Sequence, residues 1–425
     1  MSLFTGEYKP RIIDKKINDF MKAFGAVCVE GPKWCGKTWA SLNQAKSVSY
    51  IADPANGFQN RRMAEISPEL VLEGEYPRVI DEWQEVPEIW DAVRFSVDKD
   101  GAKGRYILTG SSTPKRKGIL HSGAGRIGRI RMNTMSLYEL GESSGEVSLS
   151  DLFQNNVKPV MTGDIKLERL VQYVVRGGWP GSRQLDIRDA VRIPFQYLQA
   201  VVESDMYRLD GIRRDSGKVY ALLHSLGRNE STIVSNQTIK KDITAYEDEV
   251  VEKDTIVEYL DAFERLFLID NQPAFHPALR SSRRALKSPK RHFSDPSLAV
   301  AALSASVDML LNDLNTFGFL FEALCEHDLK IYAESNEGAL FHFRDDRGNE
   351  IDAVVEMPDG KWGAFEIKLG ANQIDAAAKE LLRIQAIMEK EATAPSVLCV
   401  ICGMSNMAYQ RKDGVFVVPI TALKD

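Results

Sequence analysis

The stretch Gly31-Pro32-Lys33-Trp34-Cys35-Gly36-Lys37-Thr38 sets glycines, a lysine and a hydroxyl at the spacing GxxxxGK[ST]. Glycine lets a short loop curl until successive backbone N–H groups point inward, which makes an anion-binding nest. The lysine suits β- and γ-phosphate oxygens, and the threonine hydroxyl suits Mg²⁺. Residues 23–30 read as an apolar strand leading in, and Trp39 onward as a helix whose N-terminus favours negative charge. Gly31, Pro32, Lys33, Trp34, Cys35, Gly36, Lys37, Thr38 and Trp39 are therefore the candidate nucleotide-binding residues. Cys35 beside Lys37 has two readings: a thiol made reactive by its setting, and a small residue filling a tight loop.

A second stretch, "EYPRVIDEWQEVP", reads as a short strand tipped by Asp81 and Glu82. Strand side chains alternate in direction, so Asp81 is the candidate magnesium carboxylate and Glu82 the candidate base for an attacking water. A third strand, "GRYILTGSSTP", ends in Ser111 and Ser112; either is a candidate γ-phosphate or water contact, Ser111 first, and the other reading is a Gly-Ser turn that closes the strand. Together with "SVSYIADP", these alternating strands and helices predict a parallel sheet with its ligand at the carboxyl edge.

A third set of candidates lies far downstream. "NEIDAVVEM" and "KWGAFEIKLG" read as strands carrying Asp352, Glu366 and Lys368, and the helix "NTFGFLFEALCEHDLKIYAES" before them carries Glu322. An acid on one strand and Glu-x-Lys on the next can hold a divalent metal and orient water at a scissile phosphate. Asp352, Glu366 and Glu322 are thus candidate metal ligands, and Asp352, Glu366 and Lys368 candidate nuclease groups. The other reading keeps the fold and makes Asp352 and Lys368 a salt bridge.

These motifs need elements to position them, and 425 residues exceed one ordinary core. The division expected is 1–150 for the nucleotide domain, 151–213 for a helical lid, 214–295 for a winged-helix-like region and 296–425 for the last domain. In the third part, residues 216–229, 235–243 and 252–275 read as helices, the second capped by Ser235 and the third by Asp254. The basic stretch Arg280, Arg283, Arg284, Lys287, Lys290 and Arg291 is a candidate wing that meets DNA or RNA phosphates. A helical 167–209 broken by "RGGWPGS" suits the lid.

Composition sets the outer bounds. Hydrophobic residues make up 44% and charged residues 27%, as in a globular protein, and the net charge is −6. No apolar run suffices to span a membrane. The first residues carry no signal or transit pattern, which predicts a cytoplasmic chain. Five scattered cysteines make no disulfide framework, and Cys399 and Cys402 sit in an apolar strand as buried thiols.

Taken together, Gly31 to Thr38, Ile80 to Gln84, Leu108 to Ser112 and "GAGRIGRIRMNTMSLYEL" resemble prokaryotic AAA-type P-loop ATPases. The family carries a C-terminal domain of unknown function, and the segments around Asp352 and Glu366 match it with a restriction-endonuclease-like core. The resemblance implies ATP and Mg²⁺ as cofactors, with Asp81 and Glu82 as the paired Walker B carboxylates. The fold class expected is α/β: an AAA-type P-loop parallel sheet, a helical lid and winged-helix region, then an α/β restriction-endonuclease-like domain. Serine in place of asparagine at the sensor strand departs from better-studied AAA ATPases. Arg126 and Arg129 are the arginine-finger candidates, and a homo-oligomer is a candidate assembly.

Two functions from different classes follow. One is an ATPase whose nucleotide state gates a nuclease-like, nucleic-acid-associated domain. The other is an ATP-dependent switch or scaffold whose nuclease-like fold is inactive and binds a protein or nucleic acid. Small-molecule phosphotransfer fits less well, because an Asp-Glu pair suits water activation.

Overall fold

Ala26–Glu30 (β1) is buried at every position, the pattern of a central strand covered on both faces. In the computed structural model, described over residues 7–114, 119–247, 252–278, 288–391 and 394–425, the chain forms two compact units. One comprises Met1–Thr134, Ser204–Arg214 and Asp261–Leu268; the other Met135–Glu203, Asp215–Leu260 and Ile269–Asp425.

The first unit is built on a parallel sheet in the order β2-β3-β4-β1-β5, with β2 Ser47–Tyr50, β3 Arg78–Asp81, β4 Tyr106–Gly110 and β5 Ile127–Arg131. Alternation sends Ala26, Cys28, Ile80 and Leu108 to one core, with Trp83 and Trp90. It sends Val27, Val29, Val79 and Ile107 to the other, with Ile17 and Ala40. β4 lies between β1 and β3, so the carboxyl ends of the loop strand, the sensor strand and the acidic strand are neighbours. That order gives the sheet's carboxyl edge its site.

The second unit carries a sheet in the order β7-β12-β13-β11-β10-β9-β8. Its strands are β7 Val160–Met161, β8 Ala339–Arg344, β9 Glu350–Glu356, β10 Trp362–Lys368, β11 Val397–Cys402, β12 Met407–Gln410 and β13 Phe416–Pro419; a small pair joins β6 Val147–Ser148 to β14 Leu423–Lys424. β8, β9 and β10 run antiparallel in turn, and β10 returns parallel to β11 after the helix Ile374–Glu391. Ile374, Ala378 and Leu381 of that helix bury against Val354, Ala364 and Val400 of the sheet. The helix Leu314–Ser335 begins at Asp313, whose side chain accepts from Thr316 N.

Asp295 caps the helix Pro296–Ala302 and is fully buried; its carboxylate accepts from Ser297 N at 2.9 Å and from Gly178 N at 2.8 Å. Asp295→Ala removes the cap and leaves a buried N–H without its acceptor, a loss of roughly 2–4 kcal/mol. Chemical denaturation of the variant beside the wild type measures it.

Two sequence expectations change. The helix read over 252–275 is Lys253–Arg265, and Asp254 lies inside its first turn instead of capping it. The chain leaves the helix through Phe267, at φ 54°. It then makes antiparallel bridges, Ile269 to Phe293 and Gln272 to Lys290, while Thr232 bridges Arg291. Ser235 does cap its helix, its Oγ accepting from Thr238 N at 3.1 Å. Among the described residues no helix is long and apolar enough to cross a membrane.

Candidate functional site

The phosphate loop is shaped by close approaches of backbone to backbone. A Cβ on Gly31 would lie 2.1 Å from the Met132 carbonyl oxygen, so only glycine fits there. Gly36 takes the left-handed conformation (φ 104°, ψ 14°) that turns the chain into the helix Lys37–Asn43. From below, Arg11 donates to Cys35 O at 2.7 Å and Asn133 O at 3.1 Å, tying the loop to the end of β5. Cys35 is fully buried, its thiol against Met132 O, which places it as filler inside the loop and not as an accessible thiol. Trp34 and Trp39 face outward at 69% and 42% exposure, leaving aromatic surface beside the loop.

Lys37 is buried, and its ammonium donates to the loop's own carbonyls, Gly31 O at 3.0 Å and Pro32 O at 2.8 Å. Lys33 turns away and pairs with Asp205 at 2.6 Å. Thr38 Oγ1 donates to Asp81 Oδ1 at 2.7 Å, and Thr109 Oγ1 donates to the same oxygen at 2.7 Å. Thr109 also accepts from Glu82 N at 3.1 Å, so one hydroxyl on β4 positions both acidic residues. Burial raises the Asp81 carboxyl, and the Thr109 and Thr38 hydroxyls oppose that rise.

Asp81 and Glu82 diverge, as expected, but for another reason. Glu82 is no longer in the strand; it adopts φ 58°, ψ 48°, and this left-handed turn swings its side chain toward β4. There Glu82 Oε2 accepts from Ser111 Oγ at 2.7 Å and from Gln84 Nε2, while Gln84 Nε2 also reaches Ser111 Oγ at 3.2 Å. Glycine at 110 permits this, because a Cβ would stand 2.9 Å from Trp83 Nε1. Thr109 and Gln84 were not singled out in the sequence; Thr109, a hydroxyl in an otherwise apolar strand, was the available signal. Neither arginine-finger candidate is free within its own unit: Arg126 pairs with Asp98 at 2.7 Å, and Arg129 pairs with Glu30 at 3.2 Å and covers the Trp90 ring.

A hydroxyl and a carboxylate already joined across the loop and β3 are the donor set a hard divalent cation takes, and Thr38 and Asp81 fit Mg²⁺ on that ground.

The second unit brings its own candidates together differently. Lys368 Nζ donates to Glu366 Oε2 at 2.7 Å and Asp352 Oδ2 at 3.1 Å, and Asp352 Oδ2 also accepts from Ile367 N at 2.8 Å. Glu322 faces the same cluster, paired with Lys290. Lys290 is 3% exposed and also donates to Glu326 Oε1 at 2.7 Å and Asp352 O at 3.1 Å. Burial pushes the Glu322 carboxyl up to about 7, against Lys290, and the Glu366 carboxyl up to about 8, helped by Asp352 and opposed by Lys368. Burial pulls Lys290 down, but Glu326 and Glu322 outweigh it and hold the ammonium above its ordinary range.

Two sequence assignments are corrected here. Glu322, Asp352 and Glu366 do not converge as metal ligands, since ammonium groups stand among them; among the described residues no group of three or more His, Cys, Asp or Glu side chains could hold a metal ion. Lys290 is no surface phosphate contact, because it is buried in carboxylates. Arg291 donates to Asn236 Oδ1 at 2.9 Å, and Arg280, Arg283, Arg284 and Lys287 lie outside the described residues.

Lys290 is continuous with a buried polar chain. His292 Nδ1 meets Glu230 Oε1 at 3.0 Å, and His292 Nε2 lies 3.0 Å from Gln272 Oε1 and 3.3 Å from Glu326 Oε2. Burial holds His292 well below its ordinary range and Glu230 well above its own. As pH falls below about 6.5 the unfolded histidine takes a proton that the buried one resists, so the His292 contribution to stability falls by up to ~1.4 kcal/mol per pH unit, while the raised Glu230 carboxyl contributes in the opposite sense. Denaturation at pH 7 and pH 5 isolates the His292 contribution: the stability difference between wild type and His292→Gln should move against the wild type as pH falls.

Residues 23–141 match an AAA domain. Residues 167–308 and 317–423 match two domains of unknown function, DUF8612 and DUF4143. The uncharacterized proteins Mb2031c of Mycobacterium bovis and Rv2008c of Mycobacterium tuberculosis are each 23% identical over 346 residues, 80% of this chain and 70% of theirs. Among solved structures, the Walker-type ATPase PABY2304 of Pyrococcus abyssi aligns at 14% identity and TM-score 0.40, over 71% of this chain and 99% of its own. Replication initiator DnaA bound to AMPPCP and single-stranded DNA aligns at 11% identity and TM-score 0.27, over 61% of this chain and 90% of its own. Residues 23–141, which hold the Gly31–Thr38 loop and the parallel sheet, are thus similar to an AAA domain.

Proposed function

We propose that the chain hydrolyses ATP in its first unit and uses the nucleotide cycle to set the state of its second, which acts as a switch or scaffold. The observation that carries the first half is the linkage Thr38–Asp81–Thr109–Glu82–Ser111, which ties phosphate loop, acidic strand and sensor strand into one hydrogen-bonded set. In this reading Lys37 leaves the Gly31 and Pro32 carbonyls for the β- and γ-phosphates. Thr38 and Asp81 would hold Mg²⁺, whose chemistry there is neutralisation of phosphate charge. Glu82, oriented by Ser111 and Gln84, takes the proton of a water whose oxygen bonds to the γ-phosphorus. The bond to the bridging oxygen breaks, and ADP and phosphate are the products.

For the second unit, the strand order with a parallel β10–β11 pair supports a restriction-endonuclease-like fold over 296–425. The ammonium groups among its carboxylates favour binding over cleavage, so no nuclease step is assigned. The helices Ser216–Arg228 and Asn236–Glu247 and the bridged segments 269–275 and 290–293 support the winged-helix reading of 214–295. Asp205 on Lys33 supports a lid role for the end of 151–213. Contact with DNA or RNA is carried by the composition of 280–291, with Lys290 withdrawn from it.

Phosphate release from ATP tests the enzyme reading. Saturable release that EDTA stops and Lys37→Ala loses is the expected result; equal release from wild type and Lys37→Ala would sink it.

A further inference from the structure

We propose that Lys290 is a tethered cation that takes the place of a divalent metal in the second unit's carboxylate cluster and keeps that cluster closed to metal. The inference rests on the fold reading of residues 296–425 and not on ATP hydrolysis.

The ammonium of Lys290 can donate three hydrogen bonds, and its acceptors are Glu322 Oε1, Glu326 Oε1 and Asp352 O. Lys368 serves the remaining carboxylates, Asp352 and Glu366. Every acid of the cluster thus has an ammonium partner from the chain itself. A metal entering beside Lys290 would meet like charge at short range in a region of low polarizability, where repulsion is poorly screened.

Lys290 also has little freedom to step aside. Its backbone exchanges hydrogen bonds with Gln272, both at 2.9 Å, and Arg291 N donates to Thr232 O at 2.9 Å. The next side chain, His292, is buried against Glu230, Gln272 and Glu326. The ammonium therefore arrives on an arm fixed from both sides, and it comes from outside the strands and helix that bear the acids. The cluster is not sealed from solvent: Glu322 and Lys368 line a cleft of about 440 Å³, together with Phe319, Asn372, Gln373 and Met404. An ion could reach the acids through it, so exclusion falls to the charge of Lys290 and not to lack of access.

Mn²⁺ titration of the full-length, EDTA-stripped protein without nucleotide, followed by electron paramagnetic resonance of free Mn²⁺, tests this. Four proteins are compared: wild type, Glu322→Gln, Lys290→Gln and Lys290→Gln/Glu322→Gln. Glu322 is an acceptor of the Lys290 ammonium, and subtracting each Glu322→Gln curve removes binding at Thr38 and Asp81. Wild type should show no Glu322-dependent Mn²⁺. Lys290→Gln should gain one Glu322-dependent Mn²⁺ per chain, lost in the double variant. Glu322-dependent binding by wild type overturns the proposal even if Lys290→Gln does not fold. A folded Lys290→Gln that binds no more Mn²⁺ than wild type overturns it too. Lys290→Met serves as the second route should the glutamine variant be unstable.

Discussion

Glu82→Gln should lower ATP turnover by about 10²–10⁴-fold, the contribution of a positioned general base, while leaving ATP binding intact. The amide keeps the shape that Ser111 and Gln84 hold, with Ser111 Oγ 2.7 Å from the Glu82 carboxylate, and loses only the ability to take a proton. Binding survives because Glu82 makes no hydrogen bond to the loop; the contact between loop and acidic strand is Thr38 to Asp81. Single-turnover phosphate release beside equilibrium nucleotide binding separates the two. A variant that hydrolyses at the wild-type rate would remove Glu82 from the chemistry, and one that fails to bind would make it a structural residue. Ser111→Ala should have a smaller effect in the same direction, since Gln84 still donates to Glu82.

Asp210→Ala should destabilise the first unit by about 3–5 kcal/mol, the cost of removing one partner of a buried ion pair. Asp210 and Arg214 are 1% and 4% exposed, so solvent does not screen them. Arg214 forks onto the carboxylate at 3.0 and 2.8 Å, and Arg265 lies 3.6 Å away on the other side. The melting temperature should fall by on the order of 10 °C. The site should feel the change as well. Arg265 Nε donates to Thr113 O at 3.1 Å and Thr113 N donates to Arg265 O at 2.9 Å, so the segment just past Ser111 leans on this pair. Turnover falling more than binding in the surviving folded fraction is the expected kinetic signature; a loss of stability under about 1 kcal/mol would show the pair to be replaceable.

The geometry of the candidate nucleotide site was largely legible in the sequence because the chemistry proposed for it fixes spacing along the chain. Glycines at 31 and 36, Lys37 and Thr38 fall within eight residues where β1 turns into the helix Lys37–Asn43, and the strand tipped by Asp81 follows two crossovers later. The backbone turn at Glu82 was not legible, since a non-glycine residue at positive φ leaves no mark in residue type. Thr109 and Gln84 become functional only because β4 sits between β1 and β3, a pairing that sequence order does not state.

The second unit shows the opposite case. Its strand and helix order could be read, and Asp352, Glu366 and Lys368 do meet. The partner that changes their meaning, Lys290, is 32 residues from Glu322 and 62 from Asp352 in the chain. Its neighbours, Arg280 to Arg291, gave it the look of an exposed phosphate contact, and only the bridge from Gln272 to Lys290 turns it inward. The long helix expected over 252–275 failed for a related reason. Leu266, Phe267, Leu268 and Ile269 are all buried, and a continuous apolar run reads equally as helix or strand.

The account stands on the loop from Gly31 to Thr38 gripping a triphosphate. Isothermal titration of ATP with Mg²⁺ into the full-length protein measures that grip directly. The wild type should bind one nucleotide per chain, and Lys37→Ala should lose that heat. No heat with the wild type, or the same heat with Lys37→Ala, would contradict it.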